Sequence, residues 1–186
     1  IYHQDKCDLH DCEEITCLAE PSEEPVAGFV LSNDEKKIIL EWRNNPNIKK
    51  WMYTQSDITL ESHLNFIDSL NNSKDKLYFL VKKEDENIGV IYFTNLTKKE
   101  VYFGLYANPT IKILGVGRIL EKLSIDFAFN SLNARKLKLE VFEDNIQVIN
   151  LHRKYNFKKS GEKFVNNKKV ICMELYSKDL NNKGKI

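Results

Sequence analysis

Apolar and polar residues change period several times along the chain, and each change marks an element. Ile38, Ile39 and Trp42 recur at helical spacing within Glu35–Arg43. Ser32-Asn33-Asp34-Glu35 supplies a start signal, and Asn44-Asn45-Pro46 a stop. A second helix is predicted from about Thr59 to Asn71, with Thr59 as N-cap and Leu60, Leu64, Ile67 and Leu70 as its apolar stripe. Alternation then takes over. Lys76–Lys82, Ile88–Leu96 and Glu100–Asn108 read as three strands of a meander, joined at Lys83–Asn87 and Thr97-Lys98-Lys99 and ended by Pro109. A loop from Thr110 opens a helix running to about Leu132, with Val116, Leu120, Leu123 and Phe127 on its core face. In the strand Leu137–Val141, Leu137, Leu139 and Val141 share one face and put Lys138 and Glu140 on the other. A short helix, Asn145–Tyr155, follows. Phe157–Val165 and Lys168–Tyr176 then close a hairpin around Asn166-Asn167.

With a short strand at Gly28–Leu31, the order is β-α-α-β-β-β-α-β-α-β-β. This is an α/β chain, α+β in detail, with a central mixed and mostly antiparallel sheet flanked by helices. At 42% hydrophobic and 11% aromatic residues the chain is globular rather than disordered. Its apolar runs are too short to span a bilayer, and no signal-peptide pattern is visible, so a cytoplasmic protein without membrane partners is expected.

The formal net charge of +1 hides an asymmetry. Residues 1–27 carry eight acids and one base, or −7, and the remainder +8. Three expected units follow: an acidic, cysteine-containing segment 1–27, closed by the linker-like Pro21–Pro25; a domain 28–178; and a polar tail 179–186. His3, Cys7, His10, Cys12 and Cys17 lack a Cys-x2-Cys knuckle, so no metal site is expected. The lysines of the basic part are scattered rather than striped, which argues against a nucleic-acid partner.

The most chemical stretch is Lys112-Ile113-Leu114-Gly115-Val116-Gly117-Arg118, a glycine loop between a strand and a helix. Glycines permit a tight turn there, and free N–H groups at the helix start can cradle a pyrophosphate. Together with Asn145–Phe157, read as Asn-x-x-Val-x-x-Leu-His-x-x-x-x-Phe, this loop resembles the GNAT superfamily of N-acetyltransferases. Lys112 stands where the family has Gln or Arg, Val148 where it has Ala, and His152 where it has Tyr.

The resemblance implies the GNAT fold, with splayed strands that bind acetyl-CoA as acetyl donor. It implies donor contacts from Tyr102, Phe103, Gly104, Leu105, Lys112, Gly115, Val116, Gly117, Arg118 and Asn145. Asn145 reads as a helix cap, a pantetheine contact, or both. Trp42–Pro46, Trp51-Met52-Tyr53, His63–Ile67, Tyr102–Tyr106 and Leu139–Asn145 resemble, within that superfamily, enzymes of pseudaminic acid biosynthesis. Those enzymes acetylate the 4-amino group of UDP-4-amino-4,6-dideoxy-N-acetyl-β-L-altrosamine, and flagellin glycosylation is the implied use of the product. A UDP-amino sugar is then the expected partner of a monomer or homodimer, with Arg43, Met52, Tyr53, His63, Phe66, Thr94, Tyr106 and Glu140 at its site.

The residues read compatibly on their own. Trp51, Met52 and Tyr53 offer an apolar platform for a uracil ring, and His63 a polar contact from the exposed side of its helix. Arg43 reads either as a phosphate ligand or as the partner of a carboxylate. Trp42 and Phe66 also read as core. The resemblance implies His152 and Glu140 as the candidate catalytic residues. His152 reads as proton donor to the leaving thiolate, or as space filler with solvent or another Tyr as the donor. Glu140 reads as the group that holds the amine or relays its proton through water, or as a solvated or paired strand residue. A protein N-terminal acetyltransferase of the ribosomal-protein type and a non-catalytic acyl-CoA-binding module are the alternatives.

Overall fold

A computed structural model describes residues 14–17, 31–96 and 99–180. The linker Pro21–Pro25, most of the strand expected at Gly28–Leu31, and His3, Cys7, His10 and Cys12 lie outside the described residues. The elements are β1 (Glu14–Cys17), α1 (Asn33–Asn44), α2 (Pro46–Lys49), α3 (Leu60–Leu70), β2 (Lys76–Lys83), β3 (Glu86–Thr94), β4 (Glu100–Ala107), α4 (Val116–Asp126), β5 (Lys136–Phe142), α5 (Ile146–Lys154), β6 (Lys158–Val165), β7 (Lys168–Tyr176) and α6 (Ser177–Leu180). A π-helical turn, Phe127–Ser131, extends α4.

Local signals explain most boundaries. Ser32 and Glu35 form a reciprocal capping box at the head of α1, and Thr59 accepts from the Ser62 amide at the head of α3. Asn45 ends α1 and caps α2, whose first residue is Pro46, a position where the missing N–H costs nothing. Asn166 and Asn167 both take positive φ, as a two-residue hairpin turn needs.

The strands form one sheet in the order β1-β2-β3-β4-β5-β7-β6, all neighbours antiparallel except β4 and β5. The strand β1 was not expected: part of the acidic segment adds to the sheet edge, with Glu14 opposite Lys82. The main core lies between one sheet face and α4 and α5. It joins Phe79, Ile91, Phe93, Phe103, Leu137, Leu139 and Met173 to Leu120, Leu123, Phe127 and Ile149. On the opposite face Ile39, Trp42 and Leu70 of α1 and α3 cover Leu80 and Val90.

The parallel pair β4–β5 sets up everything that follows. It is in register only where Glu100–Tyr102 meets Lys136–Lys138. Beyond Tyr102 the strands diverge, while β4 stays bonded to β3 and β5 to β7. Gly104 lies on the diverging part. A Cβ there would come within 2.2 Å of the Tyr92 hydroxyl, because the Tyr92 ring, stacked on Tyr78, crosses over it from β3.

One helix faces differently from its reading. In α3 the buried residues are His63, Ile67 and Leu70, while Leu60 is 45% exposed. His63 is therefore not on the solvent side. Its Nε2 lies 2.9 Å from the Lys36 carbonyl, and since a carbonyl only accepts, Nε2 donates. The ring fastens α3 to α1. Burial lowers its pKa below the ordinary 6.5, and the bond to Lys36 opposes this only in part.

Two outcomes follow. As pH falls below 6.5 the unfolded chain takes up the His63 proton before the folded one, so the stability that neutral His63 contributes is present above that pH and lost below it. Denaturation at pH 7.5 and pH 5 should show this loss in the wild type and a smaller one in His63→Gln; equal losses would contradict the assignment. Gly104→Ala must displace the Tyr92 ring and should cost about 1–3 kcal/mol in urea denaturation; an unchanged midpoint would mean that the ring does not need the space.

Candidate active site

The gap left by β4 and β5 is the mouth of a cavity of about 690 Å³. Phe103–Ala107 of β4 form one wall and Leu139–Val141 of β5 the other; Gly115–Arg118 lie at the head of α4, and Asn145, Val148, Leu151 and His152 line it from α5 and its start. Ile48, Trp51 and Met52 reach it from α2 and the turn after it. The residues expected to hold the donor converge here, with two exceptions. Lys112 lines a neighbouring cleft with Asn108–Ile113, Glu41 and Trp42. Tyr102 lies where β4 and β5 are still bonded, under the Lys138 ammonium, 5.1 Å from its ring.

The head of α4 is suited to an anion. Gly115 precedes it with φ +83°, a left-handed conformation that glycine takes without penalty, and no side chain caps the helix. The Val116 and Gly117 amides thus have no intrahelical partner, and the helix dipole adds partial positive charge. The Asn145 side chain makes no capping bond at the head of α5, although the residue lines the cavity.

The two candidate catalytic side chains stand on opposite faces of the sheet. Glu140 is on the α1/α3 side, away from the Leu137/Leu139/Val141 row as the alternation requires. Its carboxylate is occupied: the Tyr53 hydroxyl donates to Oε2 at 2.5 Å, and Lys163 Nζ lies 2.8 Å away. Burial first, and the bond to Glu140 second, push the Tyr53 pKa up, so the phenol stays protonated. The bond to Glu140 raises the Lys163 pKa. Tyr53 is also held by Asn166, which donates to its carbonyl at 2.9 Å, and its ring packs edge-on against Phe142. Trp51 and Met52, rather than the whole Trp51–Tyr53 triplet, line the cavity.

His152 is on the α4/α5 side and 4% exposed. Its Nδ1 lies 2.8 Å from Oε1 of Glu121, a carboxylate of α4 with no exposure at all. The rings of Phe103 and Phe157 meet the imidazole edge-on at 6.0 and 5.6 Å. Glu121 was missed in the sequence. It adjoins the Leu120 position of an apolar stripe, and its partner comes 31 residues later.

Arg43 has no carboxylate partner among the described residues. Its Nη2 donates to the Thr54 carbonyl at 3.2 Å, and Nη1 is buried without a hydrogen bond. Its charge acts on Tyr78, Tyr92 and Tyr106. Burial pushes all three phenols up, and the Arg43 charge pulls the other way. Tyr106 and Tyr92 line the cavity, which puts this cationic, aromatic chamber next to Glu140. Phe66 is 36% exposed, packs edge-on against Tyr78 at 5.1 Å and does not line the cavity. Thr94 sits opposite Tyr102, at the bonded end of the strands, away from the gap.

A sheet opened between parallel neighbours, with a glycine-led helix start beside the opening, is the architecture that the glycine loop and the Asn145–Phe157 block point to. The family model described as the acetyltransferase (GNAT) family matches residues 36–157. The acetyltransferase PseH of Campylobacter jejuni is 42% identical over 127 residues, covering 68% of this chain and 79% of that protein. The crystal structure of the C. jejuni N-acetyltransferase PseH in complex with acetyl coenzyme A is 34% identical with a TM-score of 0.64, covering 79% of this chain and 93% of that one. The spermidine N-acetyltransferase of Vibrio cholerae, in complex with CoA and spermine, shares the fold with a TM-score of 0.73 at 19% identity, over 80% of this chain and 93% of that one. The chain belongs to the GNAT family and is an N-acetyltransferase.

Proposed function

We propose that this enzyme transfers acetyl from acetyl-CoA to the 4-amino group of a UDP-linked 4-amino-4,6-dideoxy sugar, the step expected of pseudaminic acid biosynthesis. The observation that carries the reading is that Glu140 and His152 line one cavity from opposite faces of the sheet, at the gap between β4 and β5. Its supports are the 42% identity to PseH, Arg43 unpaired in its tyrosine chamber, and Trp51 and Met52 at the cavity rim.

The residues present fit the donor. The edges of Phe103–Ala107 and Leu139–Val141 bear backbone groups that β4 and β5 do not satisfy in each other, as a pantetheine amide chain requires. The Val116 and Gly117 amides and Arg118 suit a pyrophosphate. Acetyl-CoA supplies the activated acyl group, and the protein supplies position and proton management.

On the acceptor side, Arg43 binds the diphosphate, Trp51 and Met52 flank the base, and Glu140 holds the amine and takes its proton, directly or through water. Tyr53 and Lys163 act on Glu140 rather than on the sugar nucleotide. On the donor side, His152 protonates the leaving thiolate. The β4 amides, aimed across the gap, stabilise charge on the carbonyl oxygen. His63, Phe66, Thr94 and Lys112 have no part in this scheme.

Thiol release from acetyl-CoA tests the acceptor class: rapid turnover with the UDP-4-amino sugar is expected, and turnover only with peptide N-termini would overturn the reading. His152→Ala should lower kcat about 10²–10⁴-fold with little change in KM for acetyl-CoA; an unchanged kcat removes His152 from the chemistry. Arg43→Ala should raise KM for the sugar nucleotide about tenfold or more while leaving that for acetyl-CoA alone. An equal effect on both substrates would argue against a diphosphate contact.

A further inference from the structure

We propose that Glu121 is the positioning residue for His152, fixing its tautomer and balancing the charge that its ring carries as an acid. The proposal rests on the reading that His152 protonates the thiolate.

Glu121 has no exposure, and a carboxylate in an apolar layer is expensive unless something there needs it. Among the described residues its carboxylate bonds to Nδ1 of His152 alone, at 2.8 Å; Oε2 is buried and makes no hydrogen bond there. The charge is therefore placed for this ring alone. The Tyr155 hydroxyl donates to the Arg118 carbonyl at 3.3 Å, and burial first, then the Glu121 charge, push its pKa up. The Arg118 guanidinium makes no ion pair with Glu121 among the described residues. From β4 and from the residue before β6, the edges of Phe103 and Phe157 face the ring.

An ionised carboxylate only accepts, so Nδ1 carries a hydrogen and Nε2 is the nitrogen left for the cavity. When the amine nitrogen bonds to the acetyl carbon and the carbon–sulfur bond breaks, the amine loses a proton toward Glu140 or water. The Nε2 proton moves to the sulfur. The ring is left neutral, still donating through Nδ1 to Glu121, and regains its proton from solvent. A tyrosine in this place would carry its proton without charge. A histidine brings a positive ring into a buried site, and the adjoining carboxylate offsets that charge. Glu121 also lies on the helix whose first turn borders the gap, so one rigid element places both the anion cradle and the acid.

Glu121→Gln keeps shape and hydrogen-bonding capacity while removing the charge. It should lower kcat about 10- to 100-fold with less than about a twofold change in KM for acetyl-CoA. In a His152→Ala background the same substitution should add no further loss in kcat. A melting-point drop with near-normal kcat would show a purely structural pair and overturn the proposal, leaving His152 as the acid. An unchanged kcat in His152→Ala would instead overturn the reading of His152 itself. Nitrogen NMR of the wild-type enzyme gives a readout without any variant: neutral His152 should carry its hydrogen on Nδ1, and a hydrogen on Nε2 would contradict the assignment.

Discussion

Two parallel strands that bond for only three residues organise this molecule. Had β4 and β5 stayed in register beyond Tyr102 and Lys138, the sheet would have been continuous and closed. Each strand instead keeps its other neighbour along the diverging part, so the gap is held open by ladders that are themselves complete. Backbone groups on the inner edges are left without sheet partners in the middle of a sheet, where such groups are normally satisfied. A substrate with amides of its own answers that demand, and this makes the defect in the ladder the basis of function.

The sheet also separates two kinds of work. The face under α4 and α5 is the main apolar core, broken among the described buried residues by the Glu121–His152 pair and by the Ser124 hydroxyl, which donates back to Leu120. The face beneath α1 and α3 becomes polar over β5, where Glu140 is held by Tyr53 and Lys163, and cationic around Arg43. The gap is where the faces meet. In the proposed scheme this keeps the proton acceptor Glu140 and the proton donor His152 on different faces, so that they do not neutralise each other.

Much of this was legible in the sequence. Alternation in β2 to β5 and β7, the Ser32/Glu35 cap and the Asn166-Asn167 turn are local features, decided by residues a few positions apart, and they hold in the structure. The side of the sheet taken by Glu140 followed from period two alone. The misreadings share a non-local cause. His63 looked solvent-facing because Leu60 and Leu64 drew the stripe; its burial is satisfied by the Lys36 carbonyl, 27 residues away. Lys112 belonged to the glycine loop by spacing, yet the chain path puts it in the adjoining cleft. The edge strand Glu14–Cys17 has no cross-strand partner nearby in sequence to announce it. Glu121 is intelligible only with His152.

Amide hydrogen exchange of the whole protein with and without acetyl-CoA reads the backbone groups that the divergence of β4 and β5 leaves unpaired. The account predicts that acetyl-CoA slows exchange at Phe103–Ala107 and at Val116–Arg118, while the distant β6 edge is unchanged. Protection confined to Asn108–Ile113 and Trp42, or none along β4, would contradict it.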